Sequence, residues 1–378
     1  MKPTVFWSAF LATGSVLAQT EGDRLQREIA ALAAPLTIDE ALNRAALEHA
    51  QELLGDGSPE LASLRKSVMK QGSLDAQLLP FAAIGTDPDE LASELRAFVR
   101  TRVVQRGFTH FGVGVTGSSD GRNVCVGVFV RRLVELGPMP KSTRARELTV
   151  RGVLLTTSPV RAYMTVPSGE VEDLEVRVDQ RTVEIPIAFQ SGSGKYTLEV
   201  LVDGPRGPEV AALWSLGYNA PPPDETKRPP PIAVRVEEGR GLVKTEIDRV
   251  RKAMGRRPLA EAALLRRAAD AHAQRVCETL IAAHVLKEGQ GPEARAAAAG
   301  YRGKVAENVA VARTLAEAHT NLMDSPSHRR NVLLREARDL GIGVARREAA
   351  MPVTSDAQTV APRLGPATWC LVELFGAQ

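Results

Sequence analysis

The sequence predicts a chain that is mixed α/β at both ends and all-β between them. Three observations carry this. Residues 140–218 alternate apolar and polar side chains with a period of two. Leu42, Ala45, Ala46, His49 and Leu53 form a helical stripe, and Leu265, Ala268, Ala269, His272 and Val276 form a second with nearly the same spacing. Behind each stripe follows a similar strand pattern, Phe111-Gly112-Val113-Gly114-Val115 and Leu340-Gly341-Ile342-Gly343-Val344.

The first residues read as an export leader, 1–18. Lys2 precedes the apolar run Val5 to Leu17, which is too short to span a bilayer, and Val16-Leu17-Ala18 suits cleavage, so the mature chain is expected to start near Gln19. That places the protein in a periplasm or outside the cell. No Cys stands at the cleavage point, so a lipid anchor is not expected, and no other apolar run is long enough for a membrane helix. The formal charge of +3 is too balanced for nucleic acid or an anionic membrane surface. Arg329-Arg330 accordingly reads as a solvated helix face. Three cysteines do not make a disulfide framework. Cys125 and Cys370 sit in apolar strand-like runs and read as buried thiols, with a Cys277–Cys370 bridge as the alternative.

Residues 22–137 form the first region. Pro35-Leu36 and the stripe that follows match Pro258-Leu259 and its stripe at Pro, Leu, Leu, Arg, Ala, Ala, His, Ala and Gln. Val124-Cys125-Val126 is set against Trp369-Cys370-Leu371. His49 and His272 point inward on their helices and read as hydrogen-bonded core residues, and His110 reads as local.

The middle region, 140–218, has buried faces at Val160, Ala162, Met164 and Val166, at Val183, Ile185, Ile187 and Phe189, and at Tyr196, Leu198, Val200 and Val202. The alternate positions, Glu199 among them, read as solvent-facing. Turn signals at Ser191-Gly192-Ser193-Gly194 and Asp203-Gly204-Pro205 separate the strands, and Pro186 suits an edge. Six or seven short strands predict a β-sandwich, immunoglobulin-like in kind. A proline-rich linker, 219–232, follows, semi-rigid and extended. A helix then carries Val243, Ile247, Val250 and Met254 on one face and ends at Gly255.

The most informative stretch is Asp324-Ser325-Pro326-Ser327-His328-Arg329-Arg330-Asn331. Ser325 reads as a helix N-cap and Pro326 as the first helical residue. His328 falls in the first turn, where the helix dipole disfavours protonation, so a neutral imidazole is expected. Upstream lie Glu307-Asn308 and His284. Two neutral imidazoles and a carboxylate match a zinc-type ligand set with an open position.

These residues carry a resemblance. From Leu242 to Phe375 the chain resembles the CAP family (cysteine-rich secretory proteins, antigen 5 and pathogenesis-related proteins) in its bacterial form. The match runs through Pro258-Leu259, Leu265, Ala269, His272, Ala273, His284, Gly300-Tyr301, Glu307-Asn308, Ser325 to Arg329, Asn331, Gly341 to Val344 and Trp369 to Phe375. The resemblance implies an α-β-α sandwich over 233–378, and a divergent CAP-like copy over 22–137. It also implies a cleft of two histidines and two acidic residues that in some members binds divalent cations. Carried over, the metal ligands are His284, Glu307 and His328. The second carboxylate has no clear match, and Glu317 and Asp324 are substitutes by position only. Asn308, Ser325, Asn331 and Tyr301 are expected to line the cleft. The first copy lacks these groups: Leu61 to Leu64 stands for His284, Phe81 to Ile84 for Glu307-Asn308, and a shorter Thr101 to Gly107 for the helix of His328.

Three functions follow. The first is an exported binding module whose cleft takes a divalent metal such as zinc, or a small envelope-derived ligand. The second is a metal-dependent hydrolase of peptidase type, with His284, Glu307 and His328 as the catalytic candidates. The third is a structural envelope protein that meets a protein partner through its N-terminal half. The missing carboxylate and the degenerate copy favour the first and third over catalysis, with binding preferred.

Overall fold

The computed structural model describes residues 10–55, 61–224, 236–348 and 367–377. The first half of the expected leader, residues 1–9, and the Pro229-Pro230-Pro231 segment of the expected linker lie outside them. Among the described residues the chain is mixed α/β, with four sheets, and no helix is long and apolar enough to cross a membrane. It divides into two compact units, the first ending at Arg132 and the second beginning at Leu133.

The first unit runs α1 (Phe10–Leu32), β1 (Thr37–Ile38), α2 (Glu40–Leu54), α3 (Leu61–Lys70), β2 (Leu78–Gly85), α4 (Pro88–Phe98), β3 (His110–Gly117) and β4 (Asn123–Val130). Asp39 caps α2 by accepting from the Leu42 amide, and Asp87 caps α4 ahead of Pro88. The strands lie in the order β1-β3-β4-β2, with β1 parallel to β3 and the other pairs antiparallel. Because side chains alternate along a strand, each sheet face makes its own core. Val124, Val126 and Val128 pack under α2 and α3, while Phe81, Phe111, Cys125 and Phe129 pack under α1 and α4.

The second unit begins with β5 (Val134–Leu136), β6 (Ser142–Thr143), β7 (Glu147–Leu154), β8 (Val160–Thr165), β9 (Val171–Leu174), β10 (Arg177–Asp179), β11 (Thr182–Ala188), β12 (Gly194–Gly204) and β13 (Gly207–Tyr218). One sheet is ordered β10-β11-β7-β5, the other β6-β13-β12-β8-β9. Residues 134–136, read from sequence as the tail of the first region, pair with β7 here instead. The expected buried faces are buried apart from Val160, which is half-buried, and Phe189 stacks on Tyr218 and meets Tyr196 edge-on. Pro186 is not on an edge strand, but it lies beyond the last residue of β11 that β10 covers, so its missing N–H leaves no gap in that ladder. One expectation fails. Thr197 and Glu199 of β12 and Tyr163 of β8, read as solvent-facing, are buried.

The same unit continues with α5 (Val236–Ala253), β14 (Ala260–Glu261), α6 (Ala263–Thr279), α7 (Pro292–Ala298), β15 (Lys304–Ala312), α8 (Leu315–Asp324), α9 (Pro326–Val332), β16 (Asp339–Glu348) and β17 (Ala367–Ala377). Strand order is β14-β16-β17-β15, again with one parallel pair at β14 and β16. Cys370, Val372 and Leu374 pack under α6 and α7, while Leu371 and Phe375 pack under α5 and α8. His272 is buried on α6 as expected, with Nε2 on the Ala283 carbonyl at 2.9 Å.

The cysteine reading needs correction. Cys277 on α6 and Cys370 on β17 form a disulfide, and Cys125 is a buried free thiol. The sheet register explains the difference. If Gly112 is set on Gly341, strand pairing places Val124, not Cys125, opposite Cys370's position, and Cys125 falls on the face away from α2. A one-residue slip turns every side chain to the other side of the sheet.

Candidate functional site

Glu307 anchors the site. It sits on β15 with its carboxylate fully out of solvent. One oxygen meets Nδ1 of His284 at 3.0 Å, and the other accepts from the guanidinium of Arg295 on α7. Arg295 also donates to the His284 carbonyl at 2.7 Å, fixing the loop that carries this ring. Burying a carboxylate costs less when a cation and donors meet its oxygens. Sequence reading missed Arg295, because nothing in its local sequence distinguishes it from a surface arginine.

His328 stands on α9. Its Nδ1 lies 2.6 Å from the Ser325 hydroxyl. Burial, with the neighbouring His284, pushes the ring's pKa down to about 3, so it is neutral as expected, but the main cause is burial. Ser325 is not the side-chain cap of α9. Glu199 of β12 takes that place, accepting from the Ser327 amide at 2.6 Å and from the Ser325 hydroxyl. Glu199 is wholly buried, which raises its pKa, while the bonds from Ser325 and Ser327 oppose the rise. This carboxylate was read as solvent-facing. The available signal was its own face of the sheet, where Tyr163 and Leu201 are too apolar for solvent.

The middle strands hold this corner from outside. Arg329 donates to the Gly169 carbonyl at 2.7 Å, and Arg330 pairs with Asp173 at 3.1 Å and lies over the Tyr163 ring. The arginine pair is therefore not a free solvated face. Gly207, at φ 101°, approaches His284 so closely that a Cβ there would lie 2.9 Å from the histidine side chain.

Between these elements lies a cavity of about 470 Å³. His284, Glu307, Ser327, His328 and Asn331 line it from one side, with Arg161, Tyr163, Leu201 and Val210 from the other. Other expected cleft residues lie elsewhere. Asn308 is buried beneath, donating to the His328 carbonyl at 3.1 Å and to Glu373 at 2.9 Å, while Asn331 donates to Asn308. Ser325 is buried behind His328. Tyr301 is buried under α6 with its hydroxyl on Asp339 at 2.9 Å. The Glu317 amide donates to the Thr314 hydroxyl and its carboxylate accepts from the Arg313 amide, and neither Glu317 nor Asp324 lines the cavity. A second buried acid, Glu373, also went unread. It pairs with His319 at 3.1 Å in the α8-facing layer.

The donor set was tested against a metal. Among the described residues, no three His, Cys, Asp or Glu side chains are grouped to hold one. Arg295 occupies one oxygen of Glu307, His284 Nδ1 meets the other, and His328 Nδ1 is taken by Ser325. Arranged so, Glu307 would have to give up one of these partners to ligate a metal.

Residues 245–351 match the family model for the cysteine-rich secretory protein family. Among curated proteins none matches the sequence. Solved structures similar to the chain include an outer surface protein from Borrelia burgdorferi, at 20% identity and TM-score 0.30, covering 39% of this chain and 99% of that one. Another is an extracellular protein containing an SCP domain from Bacillus anthracis, at 12% identity and TM-score 0.30, covering 62% and 68%. A third is a cysteine-rich secretory protein from Staphylococcus aureus, at 11% identity and TM-score 0.28, covering 83% and 90%.

Proposed function

We propose that this is an exported binding protein whose cavity beside His284 and His328 takes a small neutral ligand, envelope-derived, with hydrogen-bonding groups. The reading rests on one observation: the charges lining the cavity are largely matched within the protein. Arg161 pairs with Asp203, Arg330 with Asp173, and Glu307 with Arg295. Glu293, exposed at the start of α7, is the one lining carboxylate outside these pairs. His328 is neutral. Leu201, Val210, Val285 and Val305 supply apolar wall. The volume falls within the roughly 300–1,000 Å³ usual for small-molecule sites. In this reading the first unit is a divergent CAP-like copy without the polar groups, supported by its strand order, and the middle sheets form a β-sandwich that walls the cavity.

Calorimetric titration with neutral N-acetylated sugars and short neutral peptides tests the proposal, with zinc chloride as the competing probe. Saturable binding of a neutral probe is expected, weakened at least tenfold by Val210→Trp, which fills the cavity. Zinc binding at one site that disappears in His328→Gln would replace this reading with the metal reading, and with it restore the hydrolase. Silence from every neutral probe together with a partner crosslinked through the first unit would favour the structural role.

A further inference from the structure

Ser325 has one hydroxyl proton and three polar neighbours, Glu199, His328 Nδ1 and, at 3.4 Å, the Ser327 hydroxyl. Only one of them can receive it. The second oxygen of Glu199 accepts the Ser327 amide proton at 2.6 Å. A carboxylate faced by an amide and a hydroxyl is suited to accept from both. The Ser325 proton is then committed to Glu199, and its oxygen can only accept from the ring.

We propose that Glu199, through the Ser325 hydroxyl, holds the single proton of neutral His328 on Nδ1, so that the ring offers its bare Nε2 to the cavity as a hydrogen-bond acceptor. Glu199 is thereby a positioning residue supplied by the middle strands to a histidine of the CAP domain. The ligand atom facing His328 must then be a donor: a hydroxyl, an amide N–H or an amine. The downward shift of the His328 pKa supports the neutral ring. The opposite arrangement, with the hydroxyl donating to Nδ1, requires Glu199 to bring its own proton, which its burial favours and the bonds from Ser325 and Ser327 oppose. The assignment does not depend on what the cavity binds, so an empty titration leaves it standing.

The ring can be read directly by long-range proton–nitrogen NMR of the full chain, with His328 assigned by its loss in His328→Gln. The expected native spectrum shows the proton on Nδ1 and a bare Nε2. Glu199→Gln reverses this. Its amide oxygen must face the Ser327 N–H, so its NH2 faces Ser325, whose hydroxyl turns to donate to Nδ1 and moves the ring proton to Nε2. Ser325→Ala, which removes the link without touching Glu199, is a second route to the same Nε2–H form and serves if the first variant fails to fold. A purely structural Glu199 would leave the tautomer unmoved. A native ring already protonated at Nε2, or a folded variant of either kind that retains Nδ1–H, overturns the proposal.

Discussion

Gly112 and Gly114 of β3 face α2, and Gly341 and Gly343 of β16 face α6. A Cβ on any of the four would lie between 2.1 and 2.3 Å from helix backbone atoms. Both α/β regions thus seat a helix directly on a strand, with the same strand order beneath it. They differ on the opposite face. In the register set by those glycines, Asn308 and Glu373 take the places of Phe81 and Gly127. Counting from the helix N-caps Thr314 and Asp87, His319 takes the place of Ala92. One region fills that layer with a tilted pair of phenylalanines, Phe81 and Phe98, while the other buries an acid, an amide and a histidine that hold α9 by its backbone. A shared frame does not require shared chemistry. The polar groups cost desolvation, and they are kept where a side chain has to be aimed.

The largest expected effect tests the shared part. Gly114→Val and Gly343→Val should each cost more than about 3 kcal/mol, since overpacking against backbone cannot relax by a rotamer change. Chemical denaturation would show it, and tolerance of one variant but not the other would break the equivalence of the two regions. Next in size is the buried charge. Arg295→Met removes the cation from Glu307 and should cost about 3–5 kcal/mol. The polar layer predicts that Glu307→Gln in the same background recovers part of the loss, which a denaturation series on the double variant would measure.

The disulfide sharpens the contrast. It closes a sequence separation of 93 residues in the second unit, and the first region has none among its described residues. Reduction should destabilise the second unit by about 2–4 kcal/mol. Under denaturing, non-reducing conditions the chain should show one reactive thiol, Cys125. Three thiols would remove the bridge and, with it, this difference between the regions.

Much of the frame was legible because it depends on local pattern. The period-two strands, the paired helical stripes and the Gly-x-Gly segments all follow from side chains that must face a core. The pairing of His284 with Glu307 was legible only through the resemblance, since nothing local joins residues so far apart. The other partners escaped for a physical reason. Arg295, Glu199 and Glu373 are charged residues whose burial depends on what packs over them, and a strand's polar face reads as solvent until another element covers it. Ser325 was misread in the same way, because a carboxylate from β12 reached the helix end first.

The smallest effect concerns acid. His328 is harder to protonate in the folded chain than in the open chain, where its pKa is near 6.5, because burial pushes it down to about 3 and His284 adds to the shift. Between those values the unfolded state binds more protons, so stability is full above pH 6.5 and declines as pH falls. From pH 6.5 to 4.5 the share due to this ring is on the order of 2 kcal/mol. His49, buried on α2 of the first region, is lowered by burial too, but Glu52 opposes the shift, so its share should be smaller. Glu199, reached through Ser325, moves the other way. Its raised pKa favours the fold at low pH and loses that contribution as pH rises above 4.5, which partly offsets the histidine. Denaturation at pH 6.5 and at pH 4.5 should therefore show a shallower decline in His328→Gln than in the native chain, and only a slight change in His49→Gln. Equal slopes for the native chain and His328→Gln would mean that burial does not hold this ring neutral.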